Sequence, residues 1–239
     1  GNLLVHDNRG IFKIQNLELN EYLPIYLGNE LNLKKINKNE FVIWNDEAKT
    51  ERIFYYNNEF NTQMLNEASN FIINDINNFK GAYYLSTNDG IIKISEDLNN
   101  IIPVYDKNEK ILAVVENDFF RVLMTDENIF VYEEEEILFN FKIEEILKDQ
   151  DISNPKLLLD EDEYLYIGTN KLNVINLYDE DDIKIFESSQ AGFNSILSGD
   201  INNLEILYRN NVKELWISLS SGISILNLDK LNFENYKFN

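Results

Sequence analysis

Hydrophobic and polar positions alternate along this chain in bursts of five or six residues, and the bursts come in pairs. The pairs are "LLVHDNRGIFKI" (3–14), "FVIWNDEAKTERIFYY" (41–56), "YYLSTNDGIIKI" (83–94), "RVLMTDENIFVY" (121–132), "YLYIGTNKLNVINL" (164–177) and "LWISLSSGISIL" (215–226). Alternation at period two sends apolar side chains to one face of an extended strand, so each pair predicts a β-hairpin. A solenoid of helical repeats would need a 3.6-residue apolar period that these segments lack. Arg9-Gly10, Asp89-Gly90 and Ser221-Gly222 put glycine where a tight connection demands positive φ, and Asn128 is the tolerated substitute.

The turns, near Gly10, Glu51, Gly90, Asn128, Leu172 and Gly222, recur roughly every 40 to 50 residues, the period of a four-stranded propeller blade. Each hairpin is flanked by two more strand candidates, as with "PKLLLD" (155–160) and "DIKIFES" (182–188) around the fifth, or "NLEILYR" (203–209) and "NFENYKF" (232–238) around the sixth. Labelled A to D from the channel outward, this order recurs in units two to six, whereas unit one begins at strand B. The predicted fold is all-β: one propeller domain over 1–239 with about six four-stranded blades, or seven in a longer parent protein. The first blade lacks its innermost strand, and the opening Gly1 in place of Met fits a fragment.

The last unit, "LEILYRNNVKELWISLSSGISILNLDKLNFENYKF", resembles the two-component-regulator propeller repeat. That pattern is a short strand, a polar turn, Leu-Trp-Ile-Gly-Thr, a polar pair, Gly-Leu or Gly-Ile, and an aromatic outer strand. "LLLDEDEYLYIGTNKLNVINL" is similar, with Tyr166-Ile167-Gly168-Thr169 in the Trp-Ile-Gly-Thr place, and "YYLSTNDGIIKI" is a looser third match. Val5-His6-Asp7, Trp44-Asn45-Asp46 and Met124-Thr125-Asp126 keep the shape and lose the letters. The Gly-His, Trp-Asp and Gly-Gly marks of WD40 and kelch repeats are missing. The resemblance implies the extracytoplasmic sensing or scaffolding part of a bacterial signalling or surface protein, with a cytoplasmic location as the alternative. Kinase motifs are absent from the sequence.

Charge narrows the partners. With 21 basic against 42 acidic residues the net charge is −21, which opposes nucleic-acid phosphates and anionic lipid heads, so neither is expected as a partner. No apolar run approaches the roughly 18 residues that span a bilayer, so no membrane insertion of this segment is expected. The absence of cysteine removes disulfides, thiolate metal sites and cysteine nucleophiles.

Catalytic chemistry finds few carriers. His6 is the single histidine, at a strand end, and reads as a turn residue and not as part of a triad. Arg9, Arg52, Arg121 and Arg209 fall on different kinds of element and form no visible cluster for an acidic substrate. Trp44 and Trp216 lie on B strands, in register with apolar neighbours, and read as packing between blades. Asp160-Glu161-Asp162-Glu163 and Asp179-Glu180-Asp181-Asp182 offer hard oxygen ligands for calcium but lack the Asp-x-Asp-x-Asp-Gly spacing, so solvated turns are the better reading. No enzyme, cofactor or metal is predicted.

One feature of the acids survives this. In an up-and-down blade the A–B and C–D turns emerge at one end and the B–C turns and D–A crossings at the other. Glu133 to Glu136 (Glu133, Glu134, Glu135, Glu136), Asp160 to Glu163 (with Asp160 and Asp162) and Asp179 to Asp182 (with Asp179, Asp181 and Asp182) all fall in turns of the first kind. Glu116 with Asp118, and Glu96 with Asp97, join them. Arg9, Lys49, Lys107, Lys110, Lys148, Lys156 and Lys171 go the other way. The expectation is one negative face able to attract a basic partner or divalent cations. Three functions stay open: a non-catalytic propeller binding a protein partner or small ligand, a carboxylate-dependent glycosidase or lyase at the channel mouth, and a purely structural assembly module.

Overall fold

The computed structural model describes the chain apart from residues 1–2, 8–9, 16–17, 24–30, 38–39, 46–49, 57–58, 67–71, 96–100, 106–108, 135, 190–193 and 238–239. Of the side chains before residue 72 it describes those of Lys34, Glu40, Val42 and Trp44. The chain divides into two compact units, Gly1–Tyr105 and Asp106–Asn239.

In the first unit, β1 (Leu3–Asp7), β2 (Gly10–Gln15) and β3 (Glu18–Leu23) form a three-stranded antiparallel sheet. A four-stranded sheet follows, of β4 (Leu31–Asn37), β5 (Glu40–Asn45), β6 (Thr50–Tyr56) and β7 (Glu59–Asn66), and then another, of β8 (Ile73–Phe79), β9 (Ala82–Thr87), β10 (Gly90–Ile94) and β11 (Ile101–Tyr105). The second unit holds three four-stranded sheets. They are β12 (Ile111–Glu116), β13 (Phe120–Thr125), β14 (Asn128–Glu133) and β15 (Glu136–Lys142); β16 (Lys156–Leu159), β17 (Tyr164–Gly168), β18 (Leu172–Asn176) and β19 (Asp179–Phe186); and β20 (Ile201–Arg209), β21 (Val212–Leu219), β22 (Gly222–Asn227) and β23 (Asn232–Lys237). A one-turn helix, α1 (Ile143–Ile146), which the strand pattern does not predict, sits in the crossing after β15.

Each sheet is an antiparallel meander in chain order, and its A strand lies beside that of the next: β4 by β8 in the first unit, β12 by β16 and β16 by β20 in the second. This is the β-propeller arrangement. Where the sequence predicts about six four-stranded blades, residues from Ile73 to Lys237 form four of them, β4–β7 is a further four-stranded sheet, and β1–β3 has three strands only. Glu51, expected near the second hairpin turn, pairs with Ile43 and so belongs to strand β6 and not to a turn.

Apolar area is buried between successive sheets. One core joins Val122, Met124 and Ile129 to Leu157, Leu165 and Ile167, and another joins Tyr166, Leu172 and Val174 to Leu204, Leu215 and Ile217. In the first unit Val42 and Trp44 pack with Ile76, Tyr83 and Leu85. Trp44 is 3% exposed and its indole N–H donates to the carbonyl of Ile73 at 3.2 Å, the inter-sheet packing its B-strand position predicts. Lys34 reaches the next A strand as well, pairing with Asp75 at 2.9 Å.

The ends of the B strands β9 and β13 are tied locally. Thr87 Oγ1 donates to the Gly90 carbonyl at 2.9 Å and accepts the Asp89 N–H at 3.1 Å, and Thr125 does the same for Asn128 and Glu127, both at 3.2 Å. Gly90 (φ 122) and Gly222 (φ 154) carry the positive φ predicted for them.

Gly168, in the Trp-Ile-Gly-Thr place, answers to a different constraint. A Cβ there would lie 2.6 Å from Ile201 Cγ2 and 3.3 Å from Leu204 Cδ1, so the missing side chain lets β20 approach β17. Gly168→Ala is expected to destabilise by about 1–3 kcal/mol through overpacking. Adding Ile201→Ala should return part of that loss, and strict additivity of the two in chemical denaturation would dismiss the contact as the cause.

Candidate functional site

The strands of the second unit place the three acidic runs at one end, because every sheet there starts from the same end and runs antiparallel. Glu133 closes β14 and pairs directly with Glu136, with Glu134 in the turn at φ 53; Glu133, Glu134 and Glu136 are exposed. Glu135 lies outside the described residues, as do Glu96, Asp97, Arg9, Lys49 and Lys107, and the side chains of His6 and Arg52.

The third run is corrected in its local structure. Asp179 to Asp182 were expected in a turn, but Asn176 pairs with Asp179, the turn is Leu177-Tyr178, and the run forms the first half of β19. Asp179 and Asp181 are exposed, while Asp182 is half-buried and pairs with Lys184 at 2.8 Å. The hydrogen bond from Lys184 holds the Asp182 carboxyl below its ordinary value.

Asp160 is a larger correction. It is not a solvated turn acid but 5% exposed, with both oxygens taken. Oδ1 accepts the Tyr164 N–H at 2.8 Å; Oδ2 accepts the Tyr166 hydroxyl at 2.9 Å and the Lys213 ammonium at 3.1 Å. Its carbonyl accepts from Asn117 Nδ2 at 3.2 Å. The A–B turns of three successive sheets are thereby linked through one residue. Lys213 also donates to the exposed Asp162. Burial, the largest single influence on Lys213, pulls its ammonium down, yet the hydrogen bonds and charges of Asp162 and Asp160 outweigh it, and the net direction is upward. Burial first, and then the Asp160 charge, push the Tyr166 phenol far above its ordinary value, so it stays a donor.

The separation of charges is accordingly incomplete. Lys213, Lys184 and Arg209 occupy the acidic end, with Arg209 joined to Glu214 and to Glu234, both at 3.0 Å. No local stretch of sequence links Lys213 to Asp162, which is 51 residues away. The signal was present in the register, since Lys213 stands two residues before the Leu-Trp-Ile of its repeat. Glu116 is likewise engaged, by Arg121 at 3.1 Å.

Glu163 completes the site and is its unsettled member. It is 9% exposed, adopts φ 64, and its Oε2 is buried with no hydrogen-bond partner among the described residues. Burial, followed by the charges of Asp160, Glu133 and Asp162, pushes its carboxyl above the ordinary 4.5. The folded protein keeps this proton to a higher pH than the unfolded chain does, so stability is lost as pH rises through the interval above 4.5. Glu163→Gln removes the charge and is expected to melt higher than the parent at neutral pH, with the gap closing near pH 4. A gap that does not change with pH would show that repulsion is not involved.

Between the last two sheets lies a cleft of about 200 Å³. Asp160, Asp162, Asp229, Lys184 and Lys213 line it together with Phe186, Leu226 and Leu228. Its charges are of both signs and its walls partly apolar, and Lys213 is paired within it to Asp160 and Asp162. Among the described residues no three His, Cys, Asp or Glu side chains converge to hold a metal ion, and no helix is long and apolar enough to cross a membrane.

No family model matches the chain. No curated protein matches it by sequence. Its fold is shared with solved structures. The extracellular domain of a B. thetaiotaomicron protein described as a hybrid two component system superposes with TM-score 0.67 at 15% identity, covering 99% of this chain and 33% of that one. The extracellular domain of a protein described as a one component system from the same organism gives TM-score 0.61 at 13% identity, over 100% of this chain and 32% of the other. The chain is a β-propeller that spans about a third of the length of these structures.

Proposed function

We propose that this chain is a non-catalytic, ligand- or partner-binding propeller module that serves a sensory or scaffolding role outside the cytoplasm. The observation that carries this reading is the likeness, over 99% of the chain, to an extracellular domain of a signalling protein. We take residues 1–239 as one propeller domain. Binding is assigned to the acidic end, with Glu133, Glu134, Glu135, Glu136, Asp162, Asp179 and Asp181 offering charge to a basic partner, while Asp160 holds the neighbouring turns in place and Asp182 is paired with Lys184 on its own strand. A carboxylate-based enzyme draws no support from Asp160, whose two oxygens are both occupied by protein donors. Protease treatment of intact source cells, followed by immunoblotting for this segment, tests the reading: the segment should be cleaved from outside, and full protection until the cytoplasmic membrane is broken would overturn it.

A further inference from the structure

Neighbouring sheets place opposite charges at one repeated position. Leu165 and Ile167 of β17 face Leu159 and Leu157, just as Leu215 and Ile217 of β21 face Ile206 and Leu204. Two residues before these strand leucines stand Glu163 and Lys213. Their carbonyls accept equivalent hydrogen bonds, from the N–H groups of Leu177 and Leu228, each at 3.1 Å. Lys213 uses the position to reach back to Asp160 and Asp162 of the preceding sheet. Glu163, one sheet earlier, brings a carboxylate to the equivalent junction, where its electrostatic company is Glu133 of the preceding sheet and Asp160 and Asp162 of its own turn.

We propose that this junction binds an organic cation, an ammonium or guanidinium group carried by a basic peptide segment, with Glu163 as the acceptor. The proposal deepens the partner-binding reading above and rests on it. A carboxylate more than nine-tenths buried, with an oxygen that no described donor reaches, lacks the partner that buried charges require. Lys213 shows within the same chain which group fills this place. Tyr178 feels the charges of Glu163 and Glu133, is 71% exposed, and rests edge-on against Phe120 at 6.1 Å. Its ring can turn on the nanosecond timescale of exposed side chains to admit a cation and then offer its face to it. The net charge of −21 steers such a partner inward.

Calorimetric titration of the chain with a lysine decapeptide, and separately with calcium chloride, tests this. Glu163→Gln is expected to weaken peptide binding about tenfold, the loss of one charge-assisted hydrogen bond, while Glu145→Gln, exposed on α1 at the opposite end of the strands, changes it less than twofold. Glu163→Lys should supply the missing cation internally, abolish peptide binding and raise the melting temperature. Equal effects of the two Gln variants would reduce the attraction to net charge and overturn the proposal. Calcium binding lost in Glu163→Gln, with no competition from the peptide, would replace it with a metal site. Absence of any peptide binding also overturns it, and leaves the sensory reading to be judged by the protease experiment alone.

Discussion

Asp160→Ala is expected to cost about 3 kcal/mol of stability, the scale of removing one partner from a buried ion pair. The loss strands three donors at once: the Tyr164 N–H, the Tyr166 hydroxyl and the Lys213 ammonium, which keeps only the exposed Asp162. For a chain of this size that means a melting temperature lower by roughly 6–12 °C. Asp160→Asn keeps the shape and the acceptor for Tyr164 while weakening the hold on Lys213, so it should fall between the two. In an Asp162→Ala background the effect of Asp160→Ala should grow, because Lys213 then has neither acid. A loss below about 0.5 kcal/mol would return Asp160 to the class of solvated turn acids.

Gly222→Val is expected to be of similar size, about 3 kcal/mol, by a different route. The backbone φ of 154 is one that L side chains rarely adopt, and a Cβ would collide with the backbone carbonyl of Tyr236 and come within 2.8 Å of Leu197 Cδ1. Because the collision begins at Cβ, Gly222→Ala should already incur most of the cost. At Gly90, where the constraint is φ 122, Gly90→Val should cost around 1 kcal/mol or more. Equilibrium denaturation of the three variants decides the matter: Ala and Val at 222 should lie close together, and a Gly222→Ala no weaker than the parent would rule out the close approach.

The architecture was legible because it rests on local rules. Alternation at period two marks the strands, glycine marks tight turns such as those at Gly90 and Gly222, and the spacing of turns marks the repeat, so hairpins such as 83–94 and 215–226 are readable from short windows. Trp44 was placed correctly for the same reason, since its neighbours on one strand face already say which way it points. The end of the sheets at which each acidic run emerges also followed, because it depends only on strand order.

Whether those acids are exposed was a tertiary matter. Asp160 and Asp162 are two residues apart with the same chemistry, yet one is 5% exposed and holds three turns together while the other lies open to solvent. The difference comes from Lys213 and Asn117, delivered by neighbouring sheets 53 and 43 residues away in sequence. Gly168 reads in sequence as one letter of the Trp-Ile-Gly-Thr pattern, but its constraint is the side chain of Ile201 in the next sheet. The sequence by itself determined the strands, their order and the ends at which charge emerges, because hydrophobic period and turn geometry act within about ten residues. Only the tertiary structure decided which carboxylates are paired, which one is buried without a donor, and where two sheets come close enough to exclude a Cβ, because those depend on which side chains of adjacent blades meet.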